Sequence, residues 1–385
     1  MKRLAAVAAV LAAALLMSGC APASRPPASS HSASPSPTAT ATPDPIARLT
    51  LPQRVGQLFM VGTTASMAQQ VTLDAISDRH VGNIFLSGRS SAGVAATASV
   101  VARFTALVDG SSTAGEPLLV ATDQEGGQVQ VLHGAGFAQI PTGLAQGAMS
   151  PAALRASAQG WGSQLDVAGV NMDLAPVVDL VSSPQSAASN PPIGGFQREF
   201  GFDAATIVSH ADAFRGGMAA SGVLTVIKHF PGLGFVTANT DTTSGVTDTV
   251  TGADGVDVGI YRSEIAAGAR CIMVSSAIYS RIDAAAPGIF SPTVVTKLLR
   301  DQLGFSGVIM SDDLSGATQV AAWTPAQRAI LAIQAGADIV LVSKDPTVVA
   351  AMVDAVLAKA RSDKVFAALV DSAARRVIEL KSTLS

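Results

Sequence analysis

Residues 118–127 read Leu118-Leu119-Val120-Ala121-Thr122-Asp123-Gln124-Glu125-Gly126-Gly127. A short uncharged run rich in Leu and Val stops at an acid, and a glycine pair follows. A run of this kind suits a strand buried on both faces, as strands are in parallel sheets covered by helices. The same form recurs at 56–61, 82–86, 170–174, 223–227, 271–275, 307–310 and 338–342. Between the runs lie amphipathic or Ala-rich stretches with helical spacing, such as 151–168, 204–221, 261–269, 292–302 and 325–335. Eight strands, each followed by a helix or a long loop, predict an α/β fold: a single-domain (β/α)8 TIM-type barrel. An open doubly wound sheet is the alternative that the pattern alone leaves.

The barrel is expected to occupy residues 46–385. Before it, Lys2 and Arg3 open a basic start, and residues 4–16 form an apolar run too short to span a bilayer. Met17-Ser18-Gly19-Cys20 then places small residues directly before a cysteine, the pattern of a lipoprotein signal. On that reading residues 1–19 are removed and Cys20 becomes the lipid-bearing N-terminus; an ordinary secretory signal is the plainer reading. Residues 20–45 are dominated by Pro, Ser, Ala and Thr, with too little apolar surface to offset chain entropy. They are expected to be a disordered tether. The protein is therefore expected to be exported and held at the outer face of the cytoplasmic membrane, with the membrane as a partner through the lipid.

Beyond Cys20 only Cys271 remains, in an apolar strand run, so it has no partner for an intramolecular disulfide. The formal charge of −3 becomes −5 when Lys2 and Arg3 leave with the signal, and no basic stripe points to nucleic acid. No His/Cys cluster has ligand spacing, so neither metal nor cofactor is expected.

Polar residues gather at the carboxyl ends of the strands. Asp123, Asp179, Lys228-His229 and Asp312-Asp313 each follow one closely. In a barrel these ends converge on a single face, where active sites sit. Carboxylates with a Lys-His pair make a polar pocket suited to a ligand rich in hydroxyls, such as a sugar. Plainer structural roles stand beside these: Asp312-Asp313 could cap a helix, Asp123 could form a turn, Lys228 and His229 could be a buried ion pair and a core histidine, Arg198 could form a surface pair with Glu199, and Asp241 could be a turn residue in a Thr-rich loop.

Three segments carry a family resemblance. Asp123-Gln124-Glu125-Gly126-Gly127, Lys228-His229-Phe230-Pro231-Gly232 and Ser311-Asp312-Asp313-Leu314 occur in the order seen in glycoside hydrolase family 3. Leu174-Ala175-Pro176-Val177-Val178-Asp179 and Arg198-Glu199-Phe200-Gly201 support them. The chain resembles the bacterial β-N-acetylglucosaminidase branch of that family from about residue 51 to 342. The resemblance implies retaining hydrolysis of a β-glycoside, with Asp312 as nucleophile. It also implies that Asp123, Arg198, Lys228 and His229 bind the sugar.

The departures from the family fall on the site itself. Where that branch has Asp-Ser-His, whose His is the acid/base, this chain has Asn239-Thr240-Asp241, or Asp241-Thr242-Thr243 when slid by two. The second loop histidine is Leu233, an arginine after the glycine pair is Val131, and a methionine after Asp-Asp-Leu-Ser is Gly316. Other branches take the acid from a second domain, and none is expected here. The candidates for the acid are then Asp241, preferred for its position, then Glu125 and His133. Two functions remain open: a retaining glycosidase acting on cell-wall amino sugars, or a weak or inactive barrel that binds wall glycan. A two-lobed solute-binding protein is a distant third.

Overall fold

The computed structural model describes residues 44–384. Cys20 and most of the expected tether lie outside the described residues. Eight parallel strands form the centre: β1 (Phe59–Thr64), β2 (Asn83–Ser87), β3 (Leu119–Thr122) and β4 (Met172–Asp173) come first. They are followed by β5 (Leu224–Thr225 continuing as Ile227–Phe230), β6 (Cys271–Val274), β7 (Val308–Asp313) and β8 (Ile339–Val342). Each pairs with its neighbours in sequence, and β8 returns to pair with β1. The first half of β5 pairs with β4 and the second half with β6, so the ring closes through a strand broken at Val226. All eight expected strands are present. The first begins later than expected, because Gly56 and Gln57 end a helix, α1 (Leu51–Gln57), held by a Thr50–Gln53 capping box.

The crossovers are α2 (Gln70–Arg79), α3 (Val94–Thr105), α4 (Pro151–Val167), α5 (Ala204–Ala219), α6 (Val256–Ala266), α7 (Thr293–Gln302) and α8 (Pro325–Ala335). After β8 come α9 (Val349–Ser362) and α10 (Lys364–Lys381). Successive strand residues point to opposite faces, and the core divides accordingly. Met60, Phe85, Leu119, Ala121, Met172, Met273, Met310 and Leu341 fill the barrel's inside, with Val377 and Leu380 of α10 packed into the same cluster. Phe59, Val61, Ile84, Val120, Ile272, Ile309 and Val340 belong to the second cluster, between strands and helices. Cys271 is a buried strand thiol on the inner side, as its apolar run predicts.

The folded body takes in Asp44, whose carboxylate pairs with Arg375 of α10 at 3.0 Å, and Ile46, which is buried. Among the described residues no helix is long and apolar enough to cross a membrane.

Candidate active site

The carboxyl ends of the strands open into a cavity of about 360 Å³, within the range of small-ligand sites. Asp123, Arg198, Lys228, His229, Asp241, Asp312 and Asp313 all line it. The ends of four strands, β3, β4, β5 and β7, with the loops after them, therefore bring residues separated by up to 190 positions of sequence to one place, as convergence at a barrel mouth requires.

One wall is a charge network. Lys228 Nζ stands 2.7 Å from Asp123 Oδ1 and 2.6 Å from Glu125 Oε1. Arg198 grips Glu125 with two donors, Nε to Oε2 at 2.8 Å and Nη2 to Oε1 at 2.7 Å. Burial works against the charge on Glu125, but Arg198 and Lys228 outweigh it and hold the carboxyl down at about 2. Glu125 is therefore ionised and fully engaged, which removes it from the candidates for proton donor. Burial likewise opposes the charge on Lys228, and Asp123 with Glu125 outweighs that, so its ammonium is raised. Asp123 spends one oxygen on Lys228, and the residue lines the cavity.

The glycine pair makes this turn possible. Gly126 has φ +109°, and a β-carbon there would stand 2.2 Å from the carbonyl oxygen of Pro141. Arg198 is not a surface residue paired with Glu199: its guanidinium points inward, while Glu199 is buried with both carboxyl oxygens unpartnered.

His229 is oriented from behind. Asp179 Oδ2 accepts Nδ1–H at 2.7 Å, while Asp179 Oδ1 accepts the backbone N–H of His229 at 3.1 Å and of Leu233 at 2.8 Å. The imidazole is thus locked with Nε2 on the cavity side, 3.4 Å from Arg198 Nη2. Asp179, read from the sequence as a pocket carboxylate, is an anchor for this ring and for the loop after β5.

The opposite wall carries Asp312 and Asp313, which differ in role. Asp313 ties two loops: it accepts from Ser315 Oγ at 2.7 Å, Gly316 N at 2.8 Å and Ser343 N at 2.8 Å. Asp312 accepts only the N–H of Asp313, at 2.8 Å on Oδ1, among the described residues. Its Oδ2 accepts no hydrogen bond among the described residues.

Asp241 lies at the mouth, on the loop after β5. Asn239 Oδ1 accepts its backbone N–H at 2.8 Å, so the side chain of Asn239 shapes the turn that carries Asp241 to the pocket. The residue is exposed at the rim, and it lines the same cavity as Asp312 and Asp313. Loss of hydration first, then repulsion from those two acids, raises it to about 6. His133 does not line the cavity; its Nε2 meets the carbonyl of Gln130 at 2.9 Å. Such a site holds a carboxyl that keeps its proton to about pH 6 beside one with an open oxygen, which suits paired acid and nucleophile chemistry.

Two residues near the site were missed in the sequence. Asp173 interrupts the apolar run of β4, a signal that was available; it is fully buried beneath the charge network, and burial raises it to about 8. Lys344 directly follows β8, where the rule that picked out the other strand-end residues also points, and it lines the cavity. Among the described residues no group of three or more His, Cys, Asp or Glu could hold a metal ion.

Residues 50–380 match the glycosyl hydrolase family 3 N terminal domain. The chain belongs to that family. A crystal structure of a β-N-acetylhexosaminidase from Beutenbergia cavernae is 62% identical, with a TM-score of 0.86 over 87% of this chain and 99% of that one. The β-hexosaminidase of Xylella fastidiosa is 33% identical over 291 residues, 74% of this chain and 81% of that protein. The β-hexosaminidase of Vibrio cholerae is 33% identical over 229 residues, which span 59% of this chain and 66% of that protein, just under two thirds of its length. The superposition with the Beutenbergia cavernae structure agrees with the barrel.

Proposed function

We propose that the protein is a retaining β-glycoside hydrolase acting on N-acetylglucosamine-containing cell-wall glycan. Glycoside hydrolase relatives named β-hexosaminidase support the reaction class. The observation that carries the mechanism is the placement of Asp241 over the same cavity as Asp312, with its carboxyl raised to about 6 by lost hydration and by that acid.

Asp123, Lys228, Arg198 and His229 hold the sugar, with acceptors and donors matched to its hydroxyls. Asp312 Oδ2 attacks the anomeric carbon and forms a glycosyl ester as the bond to the leaving oxygen breaks. Asp241 gives its proton to that oxygen. A water then enters, Asp241 takes one of its protons, and the resulting hydroxide displaces Asp312 and restores the β configuration. No other group is needed to balance either step.

The export and anchoring expected from Met17-Ser18-Gly19-Cys20 belong to this proposal, since they bring the barrel to the wall. The missing family histidine keeps a second reading in play: a barrel that binds wall glycan without cleaving it. Incubation with a fluorinated aryl β-glycoside, followed by intact mass and peptide mapping, separates the two. A glycosyl adduct on Asp312 is expected. Saturable glycan binding with no adduct, and no turnover of activated aryl glycosides, leaves the binding reading standing.

A further inference from the structure

Arg198 and Lys228 are committed to Glu125 and Asp123. Lys344 also lines the cavity, and among the described residues no carboxylate forms an ion pair with it. Its position is imposed by its neighbours. Asp313 Oδ1 accepts the N–H of Ser343 at 2.8 Å and lies 3.4 Å from the N of Lys344, while Ser315 Oγ accepts the N–H of Asp345 at 2.9 Å. The start of the loop after β8 is therefore pinned to the loop after β7.

Gly316 faces Lys344 across this clamp. A β-carbon at Gly316 would stand 2.7, 2.8 and 2.9 Å from Cδ, Cγ and Cβ of Lys344. The lysine stem thus lies on the bare α-carbon of Gly316, in space that any side chain there would take. Gly316 is not in the left-handed region, so the glycine is required by room and not by backbone angle.

Strand order places this cation. β8 lies diametrically opposite β4 in the ring, whereas the residues assigned to the sugar come from the segments after β3 and β4 and from β5. The loop of Asp241 is tied to Thr318 and Gln319 after β7, so the group leaving beneath Asp241 departs toward the side of β7 and β8. Among the described residues Lys344 forms no ion pair with Asp241, so its side chain is not committed to that acid.

We propose that Lys344, seated on Gly316, is a specificity residue that pairs with a carboxylate on the aglycone. This rests on the glycosidase reading above. The test compares 4-nitrophenyl and 3-carboxy-4-nitrophenyl N-acetyl-β-glucosaminides, whose leaving groups differ mainly in charge, on the unmodified protein, Lys344→Met and Gly316→Ala. In the unmodified protein kcat/KM should favour the carboxylated substrate by roughly three- to fivefold, the size of one exposed ion pair. That preference should shrink in high salt. Lys344→Met should abolish it, lowering the carboxylated substrate more than the neutral one; Gly316→Ala, which displaces the stem and keeps the charge, should weaken it.

Equal loss on both substrates would make Lys344 a counter-charge for Asp312, and an unchanged preference would remove its role; either overturns the proposal. Equilibrium binding of the matching pair of non-hydrolysable thioglycosides, by calorimetry, reads the same ratio without turnover. If neither aryl glycoside is cleaved, the glycosidase reading fails, while the thioglycoside ratio still decides the recognition by Lys344. If neither thioglycoside binds, or both bind equally in every variant, the lysine has no such role.

Discussion

The backbone carbonyl of Asp241 accepts both the N–H of Thr318, at 3.3 Å, and its hydroxyl, at 3.0 Å. Thr318 follows the strand that carries Asp312, so the two acids of the site share one frame although 70 residues of sequence separate them. Gln319 extends the tie. Its N–H donates to the carbonyl of Thr240 at 3.0 Å, and its side-chain amide brackets Val246, accepting at 2.9 Å and donating at 3.2 Å.

Gln319→Ala should therefore loosen the Asp241 loop without touching the cavity wall. Proton delivery depends on the geometry of that loop. Turnover of a glycoside with a poor leaving group should fall roughly tenfold and a nitrophenyl glycoside should change little, since misplacing a reacting group is costly. The two lost side-chain bonds should also cost about 1–3 kcal/mol of stability. Equal effects on both substrates would show that Gln319 holds the fold and not the acid.

A second outcome concerns Asp173. It is fully buried, Gln124 N donates to its Oδ1 at 2.9 Å, and Oδ2 has no partner. Burial raises it to about 8, against an ordinary value of 3.8. With the folded value raised, the contribution to stability is complete below about pH 4, where both states are protonated. It is lost as pH rises through about 8. The full loss is on the order of 5 kcal/mol. Asp173→Asn cannot ionise, so its melting temperature should fall less between pH 5 and pH 8 than that of the unmodified protein. Asp257 and Glu264, both raised to about 7 chiefly by burial, keep part of the slope in each. Parallel melting curves across that range would mean that Asp173 is ionised in the fold.

The fold was legible because the strands are buried on both faces and so appear as short apolar runs with polar residues at their ends. The run at 118–122 and Asp123 after it are the pattern in miniature. Placement of Asp123, Arg198, Lys228, His229, Asp241 and Asp312 on one cavity was legible for the same reason: the barrel brings strand ends together whatever their separation. The engagement of Glu125 was not. Its two oxygens are held by residues 73 and 103 positions away, and no local spacing distinguishes a clamped acid from a free one. The seat of Lys344 on Gly316 was also hidden, because it depends on contact between the ends of two strands. The division of labour between Asp312 and Asp313 emerges only when five backbone and hydroxyl donors are seen to converge on the second acid.

Cys20 is the bet on the envelope. Cys20→Ala should leave the protein soluble outside the cell or accumulating as precursor, because the acyl chain has nowhere to attach. Kinetics of the folded part should be unchanged, since the substitution lies far in sequence from Asp44, which pairs with Arg375, and from every residue lining the cavity. Fractionation that finds the variant still in the membrane pellet would remove the lipoprotein reading, though not the proposed chemistry.

Asp241 decides between enzyme and binder. A neutral imidazole, as in the resembled branch, can pass a proton without adding negative charge beside Asp312. An aspartate does the same only while protonated, and at about 6 it is a usable acid below that pH and mostly ionised above it. The expected pH profile follows. On a glycoside with a poor leaving group, kcat/KM should decline as pH rises through about 6, while a nitrophenyl glycoside, whose leaving group needs no proton, should stay level across that range. Asp241→Asn should erase the decline and lower the poor substrate by roughly a hundredfold or more, the usual contribution of a general acid. The good substrate should lose much less in its first step. Added azide should restore the second step of the variant and give a β-glycosyl azide, because a small anionic nucleophile needs no base and meets no carboxylate at position 241. In the unmodified protein the same anion should be a poor acceptor, repelled by the ionised Asp241. If the variant loses equally on both substrates, keeps the pH decline and gains nothing from azide, the proton comes from another group. If the unmodified protein turns over neither substrate while glycan still binds, the barrel is a binder.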